Sequence, residues 1–444
     1  MTKPKILLLN PPIYDFAAYD FWLKPYGLLR AAGFLRGRAE LKLFDYLDRL
    51  HSDLPGDRRY RADRWGRGAF YSDEISKPVE FATVPRRYHR FGLPRAIFQK
   101  YLAEHGPFDA VLIQTVMTYW YPGVRETIED LRRFSPNAKI ILGGVYATIC
   151  AQHARSLGAD HVIEGTSLEP LWEALGLEPD PAELPMWDLY PRLIVGAMKL
   201  ADGCPFKCTY CSVPQVYPTF VARPMERSLA EFDLLLDCGV EHVVFYDDAL
   251  LYQPDRILVP FLKEVLKRKR KVNFHTPNAL NARFISKELA ALMVEAGFKV
   301  VYLGFESSAY EWQKKTGGKV YNHELQDAIE NLVSAGADIN NIAAYLIMAH
   351  PQNDQQNVEA SMRFASSLGI RVMLSEFSPI PGTPDGEFCR KWVNLDEPLM
   401  HNKTAFPILY LGEAEVNRVK NVCRELNQGL TKNFETRSSS KIEF

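Results

Sequence analysis

Short apolar runs alternate with amphipathic stretches along most of this chain, and that alternation narrows the folds open to it more than any other feature. In the first part the runs are Ile6 to Leu9, Leu41 to Phe44, Ala110 to Gln114, Lys139 to Leu142 and His161 to Ile163. Between them, Gly27 to Arg38, Val124 to Phe134 and Ala147 to Leu157 carry apolar residues at helical spacing. Continuous apolar strands separated by helices predict an open, doubly wound parallel sheet with helices on both faces. In such sheets ligands sit beyond the carboxyl ends of the strands. Here those ends run into Asn10-Pro11-Pro12, Thr115 to Tyr121 and Gly143-Gly144, the expected pocket wall.

The segment from about residue 51 to 95 breaks the pattern and reads as an insertion. It is basic, with Arg58, Arg59, Arg61, Arg64, Arg67, Lys77, Arg86, Arg87, Arg90 and Arg95. Solvation of an exposed loop is one reading of these charges, and binding of an anionic, phosphorylated or carboxylated metabolite is the other. A proline-rich stretch from Glu178-Pro179-Asp180-Pro181 to Pro191 has the stiffness of a linker and places a boundary near residue 180. Beyond it the alternation resumes, with strand candidates at Ile194 to Leu200, His242 to Tyr246, Val272 to His275, Val300 to Phe305, Ala343 to Met348 and Val372 to Phe377. Helical patterns such as Leu229 to Asp237, Lys287 to Ala296, Glu324 to Ala335 and Asn357 to Leu368 separate them. This succession predicts a complete or partial TIM-type (β/α)6 barrel over about residues 181–390, with its active site at the carboxyl ends of the strands. A helical extension over 391–444 follows, including an amphipathic helix from Glu413 to Leu430.

Composition removes several classes of function. The 53 Lys and Arg against 54 Asp and Glu leave a formal net charge of -1, so no global field draws nucleic acid or anionic lipid. The run Lys267 to Lys271 is expected to be a solvated helix end, where cations favour the carboxyl terminus. Ile6 to Leu9 is cut short by Asn10-Pro11-Pro12 and is too brief for a signal peptide or a membrane span, so a cytoplasmic protein with no membrane partner is expected. The 7 cysteines are too few and too uneven for a disulfide framework.

Three of those cysteines crowd into Cys204-Pro205-Phe206-Lys207-Cys208-Thr209-Tyr210-Cys211, directly after the first strand of the second unit. Thiolates this close can each take one corner of an iron-sulfur cluster and leave a fourth corner without a protein ligand. A closed structural zinc site needs four ligands, and no further Cys or His lies nearby in sequence.

The octet resembles the C-x3-C-x-aromatic-C signature of the radical S-adenosylmethionine (SAM) superfamily, with Tyr210 as the aromatic. The resemblance implies a 4Fe-4S cluster on Cys204, Cys208 and Cys211, with SAM on the open iron and reductive cleavage to a 5'-deoxyadenosyl radical. It continues through Phe245-Tyr246-Asp247-Asp248, His275-Thr276-Pro277-Asn278 with Arg283, Gly304-Phe305-Glu306-Ser307 and Ser378-Pro379-Ile380-Pro381-Gly382-Thr383-Pro384. It implies Asp247, Asp248 and Glu306 as catalytic candidates, and Phe206, Tyr210, Asn278, Arg283, Glu306, Pro379 and Pro381 as cofactor-binding candidates. Each has a plainer alternative: Asp247-Asp248 as a helix cap, Glu306 as a paired structural acid and Arg283 as a surface residue.

In the first unit, Lys5 to Pro12, Phe108 to Gln114, Ile140 to Ala147 and Gly158 to Gly165 look like the Rossmann-like cobalamin-binding domain that precedes the barrel in one radical SAM subgroup. This implies cobalamin contacts at Asn10, Pro11, Gly143 and Gly144, and the two resemblances together span about residues 3–385. The chain departs from the best-known pattern because it has no Asp-x-His-x-x-Gly, leaving either cobalamin without a protein axial ligand or a domain that serves as a lid. Aromatic stretches at Tyr14 to Tyr26 and Tyr119 to Tyr121 are either an apolar floor for the corrin or ordinary core.

The implied activity is cobalamin-dependent methylation of an unactivated carbon in a small metabolite, with flavodoxin or ferredoxin as electron donor. The alternatives are radical rearrangement, cyclisation or dehydrogenation, or a non-catalytic carrier or sensor. A methylthiotransferase needs three more cysteines in the first unit, where only Cys150 lies; Cys238, Cys389 and Cys423 suit small-hydrophobe packing.

Overall fold

Ile6 and Leu8 face one side of the first strand and Leu7 and Leu9 the other, and all four are fully buried, as a strand covered on both faces requires. The computed structural model describes residues 3–55, 62–181 and 184–439, with side chains to residue 430. Five parallel strands form the first sheet, in the order His161–Ile163, Lys139–Gly144, Ala110–Thr115, Lys5–Asn10 and Glu40–Asp45. In chain order this is 5-4-3-1-2. The direction of winding reverses between Lys5–Asn10 and Ala110–Thr115, and a crevice opens at such a reversal. The expected helix from Ala147 to Leu157 is two short ones, Val145–Ile149 and Ala151–Arg155, broken at Cys150. The hydroxyl of Tyr146 and Nδ1 of His153 meet across the break at 2.6 Å.

The insertion folds as antiparallel structure. Tyr88–Phe91 pairs with Ile13–Asp15 on one side and Ser72–Ile75 on the other, and Tyr19–Asp20 pairs with Gly68–Ala69. Its positive charges hold this structure together. Arg90 is buried against Glu126 at 2.7 Å, Arg95 pairs with Asp130 at 2.8 Å, and Arg67 joins Asp63 at 2.6 Å. Arg87 lies 3.4 Å from Glu74, Lys77 donates to the Val84 carbonyl, Arg64 donates to Asn341, and Arg86 pairs with Glu413 and Asn417 of the carboxyl-terminal helix. The described basic residues of the insertion are thus engaged within the protein; Arg58, Arg59 and Arg61 lie outside the described residues.

Six parallel strands build the second unit in chain order: Val195–Met198, His242–Phe245, Asn273–His275, Phe298–Glu306, Ile342–Met348 and Arg371–Glu376. The short strand Leu280–Asn281 pairs beside Phe298–Glu306. The lumen of this open barrel is filled from the first unit. Trp22, fully buried, packs with Val195, Val244, Val300, Tyr302 and Ala343, and Trp65 lies against the same group. The ring of Trp22 stacks on His275 at 4.4 Å. This member of the aromatic stretch is therefore core. The last strand is covered by the helix Glu413–Ser439, whose Asn427 accepts from the Val372 N–H and donates to its carbonyl, both at 2.9 Å. That pairing satisfies an edge otherwise open to another chain. Among the described residues no helix is long and apolar enough to cross a membrane.

Candidate active site

The octet sits at the carboxyl end of the first barrel strand, in the loop between two short paired strands, Ala201–Asp202 and Val221–Ala222. All three of its cysteines are half-buried. Burial pushes each thiol upward, Cys211 to about 11, and in every case Lys319 opposes that shift. One cation thus faces a trio of potential thiolates. Lys319 follows the helix Tyr310–Lys315 through Thr316-Gly317-Gly318, a turn that lies over the octet. Gly317 has φ +119, and a Cβ there would stand 3.4 Å from the Cys208 Cα and the Lys207 carbonyl. The contact itself is ordinary, and it is the positive φ that favours glycine here.

Glu306 ends the fourth strand with φ 66, where the register with the fifth strand shifts. Its Oε1 lies 3.9 Å from the Lys319 ammonium, and burial holds its carboxyl above the ordinary range. Gly304 leaves room for this meeting, since a Cβ there would be 3.1 Å from Lys319 Nζ. The Tyr210 ring is parallel to Trp312 at 6.2 Å. Phe206 is flanked by Tyr252 and Phe284.

Most of the remaining sequence candidates make hydrogen bonds or ion pairs within the protein. Asp247 is 3% exposed and accepts from the N–H groups of Leu200 (2.9 Å) and Ala201 (2.7 Å), so it braces the strand leading into the octet. Burial raises its carboxyl to about 7. Asp248 stands 3.4 Å from Lys199, a buried cation that also pairs with Asp202 at 3.3 Å. Asn278 donates to the carbonyls of Tyr246 and Asp247 and ties the second strand end to the third. Arg283 donates to Glu324 at 2.6 Å and to the Gly318 carbonyl at 2.6 Å, so it props the turn that carries Lys319. Pro379 and Pro381 lie in the loop after the sixth strand, where the Pro381 carbonyl accepts from Gln215 at 3.1 Å.

A second recess lies at the strand ends of the first sheet, with about 920 Å3 of empty space including its open mouth. Gly143 and Gly144 line it, together with Gln114, Gly165, Thr166 and Ser167. A Cβ on Gly143 would meet no atom within 4 Å, so that residue borders open space. Val216 and Tyr217 line the same recess and follow Cys211 in the loop of the barrel. Asn10 and Pro11 border a smaller hollow at the switch point; Asn10 donates to Asp45 at 2.7 Å and is buried.

The donor set suits an iron-sulfur cluster. Among the described residues no three His, Cys, Asp or Glu converge as the donors of a single ion do. A cluster with one thiolate per iron does not require that convergence. Sequence reasoning missed Lys319 and Lys199. For Lys319 the signal was a Gly-Gly-Lys turn after the fourth strand; for Lys199 no pattern marks it.

The radical SAM superfamily model matches residues 198–365. An uncharacterized methyltransferase of Pyrococcus horikoshii, PH0819, is 24% identical over 214 residues, covering 46% of this chain and 45% of that protein. The chain spans about half the length of the curated relatives it matches, 45% and 44% for two of them. TsrM, a radical S-adenosylmethionine methyltransferase from Kitasatospora setae, solved with tryptophan substrate and a SAM analog, matches with a TM-score of 0.64 at 15% identity, over 88% of this chain and 76% of that one. The cobalamin-dependent S-adenosylmethionine radical enzyme OxsB, solved with aqua-cobalamin and S-adenosylmethionine, matches with a TM-score of 0.57 at 14% identity, over 91% of this chain and 57% of that one. At these identities the two solved structures share the fold with this chain.

Proposed function

We propose, from the match of residues 198–365 to the radical SAM superfamily model, that the protein methylates an unactivated carbon of a small metabolite with a methyl group carried by cobalamin. The observation that carries the proposal is the loop after the first barrel strand. Its octet bears three half-buried thiols, and its Val216 and Tyr217 line the recess at Gly143 and Gly144. One loop therefore serves two sites, each at the carboxyl end of a parallel sheet.

In this reading Cys204, Cys208 and Cys211 hold the cluster, and the recess holds cobalamin. When bound, the cluster with SAM supplies a carbon radical and cobalamin supplies a methyl group, which together allow alkylation of a carbon with no acidic proton. Lys319 and Glu306 present opposite charges 3.9 Å apart beside the octet, a pair suited to the carboxylate and amino group of an amino acid such as the methionine part of SAM. Tyr210 and Phe206 give that place an apolar wall. Trp22 fills the lumen of the same barrel. A reduced flavodoxin or ferredoxin is the proposed electron source.

The test is anaerobic purification from cells supplied with cobalamin. The expected result is about four irons and one cobalt per chain, with 5'-deoxyadenosine formed from SAM under reducing conditions. Iron without cobalt removes methyl transfer from the proposal. A chain that takes up no iron overturns it entirely.

A further inference from the structure

Two residues separate Cys208 from Cys211, and a buried pair elsewhere in the barrel holds both. Thr209 donates its hydroxyl to Oδ2 of Asp385 at 2.5 Å, and the Asp385 N–H donates back to the Thr209 carbonyl at 3.2 Å. Nε2 of His350 lies 2.9 Å from the same Oδ2. Nδ1 of that ring accepts from the Gln352 N–H at 3.2 Å, so Nε2 carries the proton and donates. The ring of His350 meets Trp312 edge-on at 5.5 Å, and Trp312 lies parallel to Tyr210 at 6.2 Å. His350 and Asp385 are 1% and 5% exposed.

The fold strains itself to make this arrangement. Ala349, just past the fifth barrel strand, has φ 61, a conformation unfavourable for a residue with a Cβ and retained where the surroundings impose it. It precedes the histidine. Asp385 lies in the first turn of Pro384–Phe388, whose Gly386 N–H is capped by Thr383 at 3.0 Å. With one ring nitrogen already used as an acceptor, the imidazole has a single N–H to offer, and the pair retains the negative charge of the carboxylate.

We propose that Asp385 and His350 are positioning residues for the cluster loop: they fix Thr209 by hydrogen bonds and Tyr210 through Trp312, and they place a buried negative charge beside the cluster. This rests on the assignment of the octet as the cluster site. Charge and hydrogen bonding near the sulfurs set the potential of such clusters, and a fixed anion disfavours the added electron.

The test is redox titration of the reconstituted cluster, followed by its electron paramagnetic resonance signal. Asp385→Asn keeps a hydrogen-bond acceptor and removes the charge, so the midpoint is expected to move to a more positive potential. Thr209→Val removes the hydroxyl and is expected to lose cluster uptake or alter the signal, whereas Thr209→Ser should restore wild-type behaviour. A wild-type midpoint and line shape in both Asp385→Asn and Thr209→Val, at equal iron content, would overturn the proposal. Failure of the wild-type chain to take up iron would instead overturn the cluster assignment on which it rests.

Discussion

Lys319 is the residue on which the electrostatics of the octet turn. Three half-buried thiols are hard to ionise, and its ammonium lowers the cost for each of them. Replacing it should therefore show in the metal-free protein. Lys319→Met is expected to move the alkylation profile of the octet thiols to higher pH and to slow their reaction several-fold at pH 8, because one pKa unit is a tenfold change in thiolate. Lys319→Arg should keep most of the rate. Equal rates in wild type and Lys319→Met would show that the cation has no hold on the loop. The cysteines were legible in the sequence because their chemistry depends on spacing within eight residues of chain. Lys319 was not, because it reaches them only after the fourth strand and its helix have folded back. Asp247 was legible as a carboxylate at a strand end, but not as the acceptor of two backbone N–H groups, since those come from Leu200 and Ala201, more than forty residues earlier.

The glycines that end the fourth strand of the first sheet illustrate why the same residue type can be kept for different reasons. Gly144 has φ +108, and a Cβ there would lie 2.2 Å from the Thr115 carbonyl. Gly144→Ala is expected to cost about 2–4 kcal/mol, combining backbone strain with a displaced neighbouring strand. Gly143 carries neither burden, since a Cβ there meets open space. Gly143→Leu should leave the melting temperature near wild type and abolish cobalt retention by filling the recess. Melting curves and metal analysis of the two variants separate stability from binding; cobalt retained at the wild-type level in Gly143→Leu would move cobalamin out of this recess. The strands themselves were readable, since a parallel strand buried on both faces is apolar throughout. The insertion was not. Its antiparallel pairs, Tyr19–Asp20 with Gly68–Ala69 and Ile13–Asp15 with Tyr88–Phe91, join segments dozens of residues apart and carry no local pattern that fixes their partners. Its arginines left solvation and anion binding both open, because sequence shows charge but not its partner; the described ones have partners inside the protein, Arg90 with Glu126 in the core.

At the scale of the molecule, the two units are joined through the lumen of the barrel. Trp22 belongs to the first unit by sequence and to the second by burial, so neither reaches its full core alone. Trp22→Ala should cost about 3–5 kcal/mol, as large buried aromatics do. The loss is expected to lower both units in one transition, and two separate transitions would show that the tryptophan serves only its own. Beneath it, the rings of His275 and His242 share one hydrogen bond of 2.9 Å. Burial depresses His275 to about 2, while the unfolded chain titrates near 6.5. A base whose folded pKa is depressed takes up fewer protons folded than unfolded, so this histidine's contribution is present above pH 6.5 and is lost as pH falls below that value. Between pH 7 and pH 5 the loss amounts to about 2 kcal/mol. Chemical denaturation of His275→Phe across the same interval should give a correspondingly shallower slope, the apolar ring keeping the stack on Trp22 without a proton to bind. A slope equal to wild type would assign the acid sensitivity to groups outside the lumen, and would leave the contact between the two units indifferent to pH.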